Sequence, residues 1–122
     1  MNNGRQISFY LRSATGNKKD LNTQRVLIEK EFKRFLSAQG EASIYCDPHQ
    51  SGNAEGFDLL RLKQDVVTGK VDIIFVAKMN RISRSLKGLA NFLDFVKSNR
   101  VRVIFIRENV DSKNWPAFGG GQ

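Results

Sequence analysis

Lys78-Met79-Asn80-Arg81-Ile82-Ser83-Arg84 places three cations and an amide side chain within one short segment. Arg81 and Arg84 are three apart, so a turn of helix would put both guanidiniums on one face. Two planar forks aimed the same way suit an anion that accepts hydrogen bonds in pairs, and a phosphodiester is such a group. The preceding residues, 71–77, form an apolar, β-branched run bounded by Gly69-Lys70. That run reads as a strand buried on both faces, the mark of an α/β sheet. Open α/β sheets bind their ligands outside the carboxyl ends of the strands, where these cations fall. Taken alone, the segment reads equally well as a solvated helix start with scattered basic residues.

A second strand-like run, Ile7-Ser8-Phe9-Tyr10-Leu11-Arg12, leads into Ser13-Ala14-Thr15-Gly16-Asn17. Gln24 follows, then Tyr45-Cys46-Asp47, Ser51-Gly52 and Gly56-Phe57-Asp58-Leu59-Leu60-Arg61-Leu62-Lys63. With Asn80-Arg81-Ile82-Ser83-Arg84, this order resembles the catalytic domain of the serine recombinases, the resolvase/invertase family, from residue 7 to residue 111. The resemblance lies in the order and spacing of these pieces together. The family pattern at the first strand is Tyr-x-Arg-x-Ser, whose Ser is the nucleophile. Tyr10 and Arg12 match it, and Ala14 stands at the nucleophile position. Lys63, Arg81 and Arg84 match the family's other basic active-site residues. Tyr10, Gln24, Ser51, Lys78 and Asn80 are implied as the DNA- or phosphate-binding set. Two further positions depart from the pattern: Ala54 where the family has an arginine, and Asn80 where it has an aspartate. The phosphate-binding half of the site is kept, while the nucleophile, one arginine and one carboxylate are not.

In the resembling family a serine hydroxyl attacks a DNA phosphodiester, giving a phosphoseryl link and a free 3′ hydroxyl. Arginines stabilise the charge that grows on the non-bridging oxygens. No metal or other cofactor takes part, and this chain has no cluster of metal-ligand residues. Ala14 has no hydroxyl to attack with. Ser13 is a poor substitute, because along an extended strand its side chain points away from that of Arg12. Thr15 lies where the chain turns, and Ser51 matches a family serine that assists without attacking. The resemblance therefore implies a site-specific recombinase catalytic domain, inactive or impaired as written. Either the serine was changed deliberately or the chain is a naturally inactive relative; three departures together favour the second.

A different class stays open: a non-catalytic DNA-associated regulatory or dimerisation module that retains the phosphate site. Taken singly, Arg12 also reads as a strand-end cation paired with Asp47, Lys63 as a solvated helix residue and Gln24 as a helix-start residue. A flavodoxin-like nucleotide binder is disfavoured, since neither Gly-x-Gly-x-x-Gly nor Gly-x-x-x-x-Gly-Lys-Ser/Thr occurs.

The elements that must hold these residues follow from periodicity. Helices are expected at 21–39, 57–68 and 86–99, from apolar residues at helical spacing. Strands are expected at 7–12, 43–46, 71–77 and 101–107. The order βαβαβαβ implies a three-layer α/β fold: a mainly parallel sheet of four to five strands with helices on both faces. Residues 1–111 read as the domain and 112–122 as a flexible tail. The family's long oligomerising helix and DNA-binding domain would follow; their absence suggests a truncated piece or a remnant.

The chain has 122 residues, 40% of them apolar, enough for one packed core. Lys and Arg number 20 against 12 Asp and Glu, a net charge of +8 with pI near 10.0. That excess favours a polyanionic partner, most simply DNA. The expected partners are DNA and, for a full-length protein, further copies of itself as a dimer or tetramer; a fragment alone would be monomeric or weakly dimeric. No apolar run reaches the roughly 18 residues of a membrane span, and no signal-peptide core is present. Cys46 alone cannot close a disulfide and reads as a small buried hydrophobe. His49, the one histidine, reads as a solvated loop residue. The expected location is the cytoplasm, associated with the nucleoid.

Overall fold

The computed structural model describes residues 6–36, 42–49 and 55–114. Its elements in chain order are β1 (Ile7–Arg12), α1 (Lys18–Leu36), β2 (Ala42–Asp47), α2 (Phe57–Val67), β3 (Ile73–Val76), α3 (Leu86–Ser98), β4 (Arg102–Phe105) and β5 (Val110–Asp111). Three-residue 3₁₀ turns occupy Met79–Arg81 and Ser112–Asn114. The sheet order is β2-β1-β3-β4-β5, parallel throughout except for β5. This is the expected three-layer α/β fold.

Side chains alternate across the sheet and each face meets its own helices. Ile7, Phe9 and Leu11 of β1 face α1, joining Ile28, Phe32 and Phe75 in one core cluster. There Phe9, Phe32 and Phe75 pack edge to face, with ring centroids 5.5 to 6.1 Å apart. Tyr10, Ile74 and Val76 face the other way, onto Leu59, Leu62 and Val66 of α2 and Leu89, Phe92, Leu93 and Val96 of α3. The chain leaves β1 toward β2 on one side and returns to β3 on the other. The carboxyl ends of β1 and β3 are thus a topological switch point, where such sheets open a ligand crevice.

Several expectations are corrected in detail. Helix α1 begins at Lys18 rather than 21, because Asn17 Oδ1 accepts from the Asp20 amide at 3.0 Å and caps it. Strand β3 is shorter than 71–77. Arg81 and Arg84 do not share a helix turn: the 3₁₀ turn ends at Arg81, and Arg84 lies in the bend before α3. The 57–68 and 86–99 helices each end one residue earlier. The fold also runs past 111, since Ser112 is buried and its hydroxyl accepts from the Val103 amide at 2.8 Å. Arg102 Nε binds Asp111 at 2.9 Å, tying β4 to β5. No helix among the described residues is long and apolar enough to cross a membrane.

Candidate functional site

Arg12 closes β1, and its backbone has an unusual partner. The Ser13 amide donates to Asp47 O of β2 at 3.0 Å, so the amide and carbonyl of Arg12 face the β3 side. Pairing with β3 stops at Tyr10. Gln24 of α1 fills the gap: its Oε1 accepts from the Arg12 amide at 3.2 Å and its Nε2 donates to the Arg12 carbonyl at 2.8 Å. Gln24 is buried, and the same Nε2 donates to Asp20 Oδ2 at 3.0 Å. The other oxygen of Asp20 accepts from Arg81 Nη2 at 3.3 Å. A continuous run of contacts therefore joins the end of β1, the first turns of α1 and the segment after β3. Arg81 Nε is buried and has no hydrogen-bond partner among the described residues.

The loop after Arg12 is set by Ser13. This residue is buried, and its Oγ accepts from the amides of Thr15, Gly16 and Asn17 at 3.3, 3.1 and 3.3 Å. Ala14 is exposed beside it. Gly16 has φ +74°, and a Cβ there would lie 2.0 Å from His49 Cε1. The left-handed backbone favours glycine there, and the absence of a Cβ lets the His49 imidazole pack on it. His49 is exposed, as expected, yet it borders the Ala14 loop.

Asp47 organises the other side. It is buried, accepting from the Tyr10 hydroxyl at 2.6 Å and from the Asp58 and Leu59 amides at 2.8 and 3.0 Å. The carboxylate thereby serves the N-terminus of α2, whose preceding residue, Gly56, supplies no side-chain cap. A Cβ on Gly56 would sit 2.2 Å from the Asp47 carboxyl carbon, so this position also demands glycine. Burial, the hydrogen bond to Asp47 and its charge push the Tyr10 hydroxyl far above its usual range. Burial first, then the 2.6 Å hydrogen bond to Asp65, pushes Tyr45 up to about 12. Burial, with Asp47 and Asp58 nearby, raises the Cys46 thiol and keeps it protonated.

Lys63, half-buried on α2, pairs with Glu55 and lies 5.9 Å from the centroid of the Phe95 ring. Both line a cavity of about 450 Å³ with Ser83, Ser85, Gly88 and Asn91 at the start of α3. Ser85 caps that helix, accepting from the Gly88 amide at 2.9 Å. Arg84 and Asn80 are exposed and Lys78 is half-buried. The Glu108 carboxylate accepts from the Met79 amide at 3.1 Å, fixing the turn that carries Asn80 and Arg81.

Arg12 and Arg81 are thus linked through Gln24 and Asp20, while Lys63 belongs to the α2–α3 cavity beside Ser83. Tyr10 and Gln24, expected among the phosphate-binding residues, brace the framework of the site in this structure. Both are buried, with the Tyr10 hydroxyl committed to Asp47 and the Gln24 amide to Arg12 and Asp20. Ser51 and Ala54 lie outside the described residues. Asp20 and Asp47 were not singled out from the sequence as site residues. The Asn17-x-x-Asp20 spacing of a helix start was the available signal for the first. For Asp47 the signal was a carboxylate at the end of a strand.

The family model described as "Resolvase, N terminal domain" matches residues 7–116. The chain belongs to the resolvase family. Solved structures agree in fold. The N-terminal catalytic domain of TP901-1 integrase superposes with TM-score 0.76 at 23% identity, covering 91% of this chain and 85% of that one. A resolvase-family site-specific recombinase from Streptococcus pneumoniae gives TM-score 0.74 at 20% identity, covering 91% and 78%. The C-terminal catalytic domain of ISC1926 TnpA, an IS607-like serine recombinase, gives 0.66 at 19%, covering 83% and 69%. Comparison with curated proteins finds no match. In this resolvase domain Arg12 stands at the carboxyl end of β1, and Lys78, Arg81 and Arg84 follow β3, while Lys63 lies on α2.

Proposed function

We propose that this resolvase-family domain holds a DNA phosphodiester at the switch point between β1 and β3 and, with Ala14 at the nucleophile position, does not cut it. The observation that carries the reading is the run of contacts from the Arg12 backbone through Gln24 and Asp20 to the Arg81 guanidinium, which ties Arg81 to the end of the strand that leads into the Ala14 loop. Arg81 and the exposed Arg84 supply the charge for the non-bridging oxygens, with Lys63, Lys78 and Asn80 at the margins. In an intact site a serine Oγ–phosphorus bond would form, and the 3′ oxygen would leave with a proton. Here no hydroxyl stands at position 14, and the Ser13 oxygen already accepts three backbone amides. The net charge of +8 supplies a sequence-independent attraction to DNA. Phe57, Leu60 and Val67, spaced along one face of α2, are exposed, an apolar surface that suits further copies of the chain. The alternative, a non-catalytic regulatory module, uses the same phosphate site and the same surface.

The test is incubation with labelled duplex DNA, followed by denaturing electrophoresis. The chain as written gives no covalent adduct, and Ser13→Ala changes nothing. An adduct abolished by Ser13→Ala would overturn the placing of the nucleophile. Ala14→Ser alone should recover little activity, because one missing charge-stabilising donor costs about a hundredfold to a thousandfold. Robust cleavage by that variant would show that the rest of the machinery is intact.

A further inference from the structure

Asp20 does something that its place in a helix does not require. In the first turn of α1 it is a favourable acid near the positive end of the helix dipole. A carboxylate there needs no partner from a distant segment. Asp20 nevertheless divides its two oxygens between Gln24, which holds the Arg12 backbone, and Arg81, sixty-one residues away. Nε and Nη2 form one edge of the Arg81 guanidinium. Nη2 is taken by Asp20, and Nε is buried with no partner among the described residues. The edge best shaped for a two-oxygen anion is therefore half occupied by a carboxylate of the chain itself. Lys63 is in a similar state, its ammonium paired with Glu55.

We propose that Asp20 is an internal competitor for the anion site, so that a phosphodiester engages Arg81 fully only by displacing the Asp20 carboxylate. This rests on the reading of Arg81 as a phosphate ligand. The arrangement lowers affinity for stray anions and makes tight engagement depend on contacts that DNA supplies elsewhere along its backbone. The pair is about one-third exposed at Asp20 and less at Arg81, so its effect is that of a partly screened ion pair.

The test measures affinity for a short DNA duplex at several salt concentrations. Asp20→Asn should tighten binding about two- to fivefold, the scale of such a pair. It should also steepen the salt dependence by about one contact. Glu29→Gln is the control: it makes the same charge change further along α1, at a residue paired with Arg25. It should leave affinity nearly unchanged. Asp20→Glu keeps the charge and the helix-start preference, and should bind as the parent does. In an Arg81→Ala background the gain from Asp20→Asn should vanish. Urea unfolding of each variant verifies that folded protein is compared. If Asp20→Asn does no more than Glu29→Gln, or if its gain persists without Arg81, the competitor role is wrong. If Arg81→Ala itself leaves affinity unchanged, Arg81 is no phosphate ligand and the functional reading falls first.

Discussion

Replacing Gln24 should disturb the end of β1 more than its distance from any DNA would suggest. Gln24→Ala removes both side-chain bonds to the Arg12 backbone, at 3.2 and 2.8 Å. The Arg12 amide and carbonyl face a side where strand pairing has already stopped, so no neighbouring strand can replace the lost partner. Each buried orphan costs about 1–3 kcal/mol, and water entering the gap recovers part of it. A net loss of about 3 kcal/mol is expected, a large share of a total near 5–15 kcal/mol. Gln24→Glu separates hydrogen bonding from volume. One carboxylate oxygen still accepts from the Arg12 amide. The other faces the Arg12 carbonyl and Asp20 Oδ2, both acceptors, so only a protonated carboxyl fits. Its folded pKa is then raised above the unfolded value near 4.3, and each unit of difference is worth about 1.4 kcal/mol. The sign follows directly. Below that value the group is neutral in both states and the penalty is smallest. As pH rises the unfolded chain ionises, the folded chain resists, and stability is lost relative to the parent. Urea unfolding followed by circular dichroism, at neutral pH and at about pH 4.5, measures both effects. A Gln24→Ala variant within about 0.5 kcal/mol of the parent, or a pH-independent Gln24→Glu difference, would refute the reasoning.

Asp47→Ala should cost about 3–5 kcal/mol in urea unfolding, because it orphans the Tyr10 hydroxyl and two α2 amides at once; Tyr10→Phe should cost less. Gly56→Ala should lower the thermal midpoint by several degrees, since the added Cβ meets the Asp47 carboxylate at 2.2 Å; an unchanged midpoint would mean that Asp47 can move aside at no cost. For Tyr45, pushed up to about 12 in the fold, stability should fall as pH climbs from about 10, where the unfolded phenol ionises, through the folded value. Tyr45→Phe should lack that component and cost about 1 kcal/mol at neutral pH, by leaving Asp65 without its donor. Burial would raise the Asp58 and Asp111 carboxyls, but hydrogen bonds from Arg61 and the Cys46 amide, and from Arg102 and the Lys113 amide, hold both below the usual range. Their contribution is present above about pH 4 and lost as pH falls through the lower folded values, so Arg102→Met should flatten the acid limb of the stability curve.

The layers of this fold were legible because its strands and helices carry their burial in their periodicity. Residues 73–76 are apolar on both faces because both faces are covered, and α3 spaces Leu89, Phe92, Leu93 and Val96 as a packed helix must. β5 was harder, being two residues long and placed by the Arg102–Asp111 pair and the positive-φ turn at Asn109 rather than by a hydrophobic pattern. Arg12, Arg81 and Arg84 announce anion chemistry by residue type alone, and the fold sets them at or just beyond the carboxyl ends of β1 and β3. Elsewhere position, rather than residue type, decides what a side chain holds. Tyr10 and Gln24 sit among the motif residues in sequence, yet burial turns both inward, and strand alternation says nothing about the side-chain amide that replaces a strand partner. Asp20 was passed over because an acid in a first turn already has an adequate explanation from the helix dipole, and its tie to Arg81 spans elements that only the fold brings together.

The most direct test of the central claim is a crystal structure of the chain bound to a short DNA duplex. The account predicts a phosphodiester at the carboxyl ends of β1 and β3, its phosphorus facing the Ala14 methyl and its non-bridging oxygens about 3 Å from the Arg81 guanidinium. A DNA backbone lying along another face, with Arg81 still held by Asp20 and the Ala14 loop empty, would contradict it.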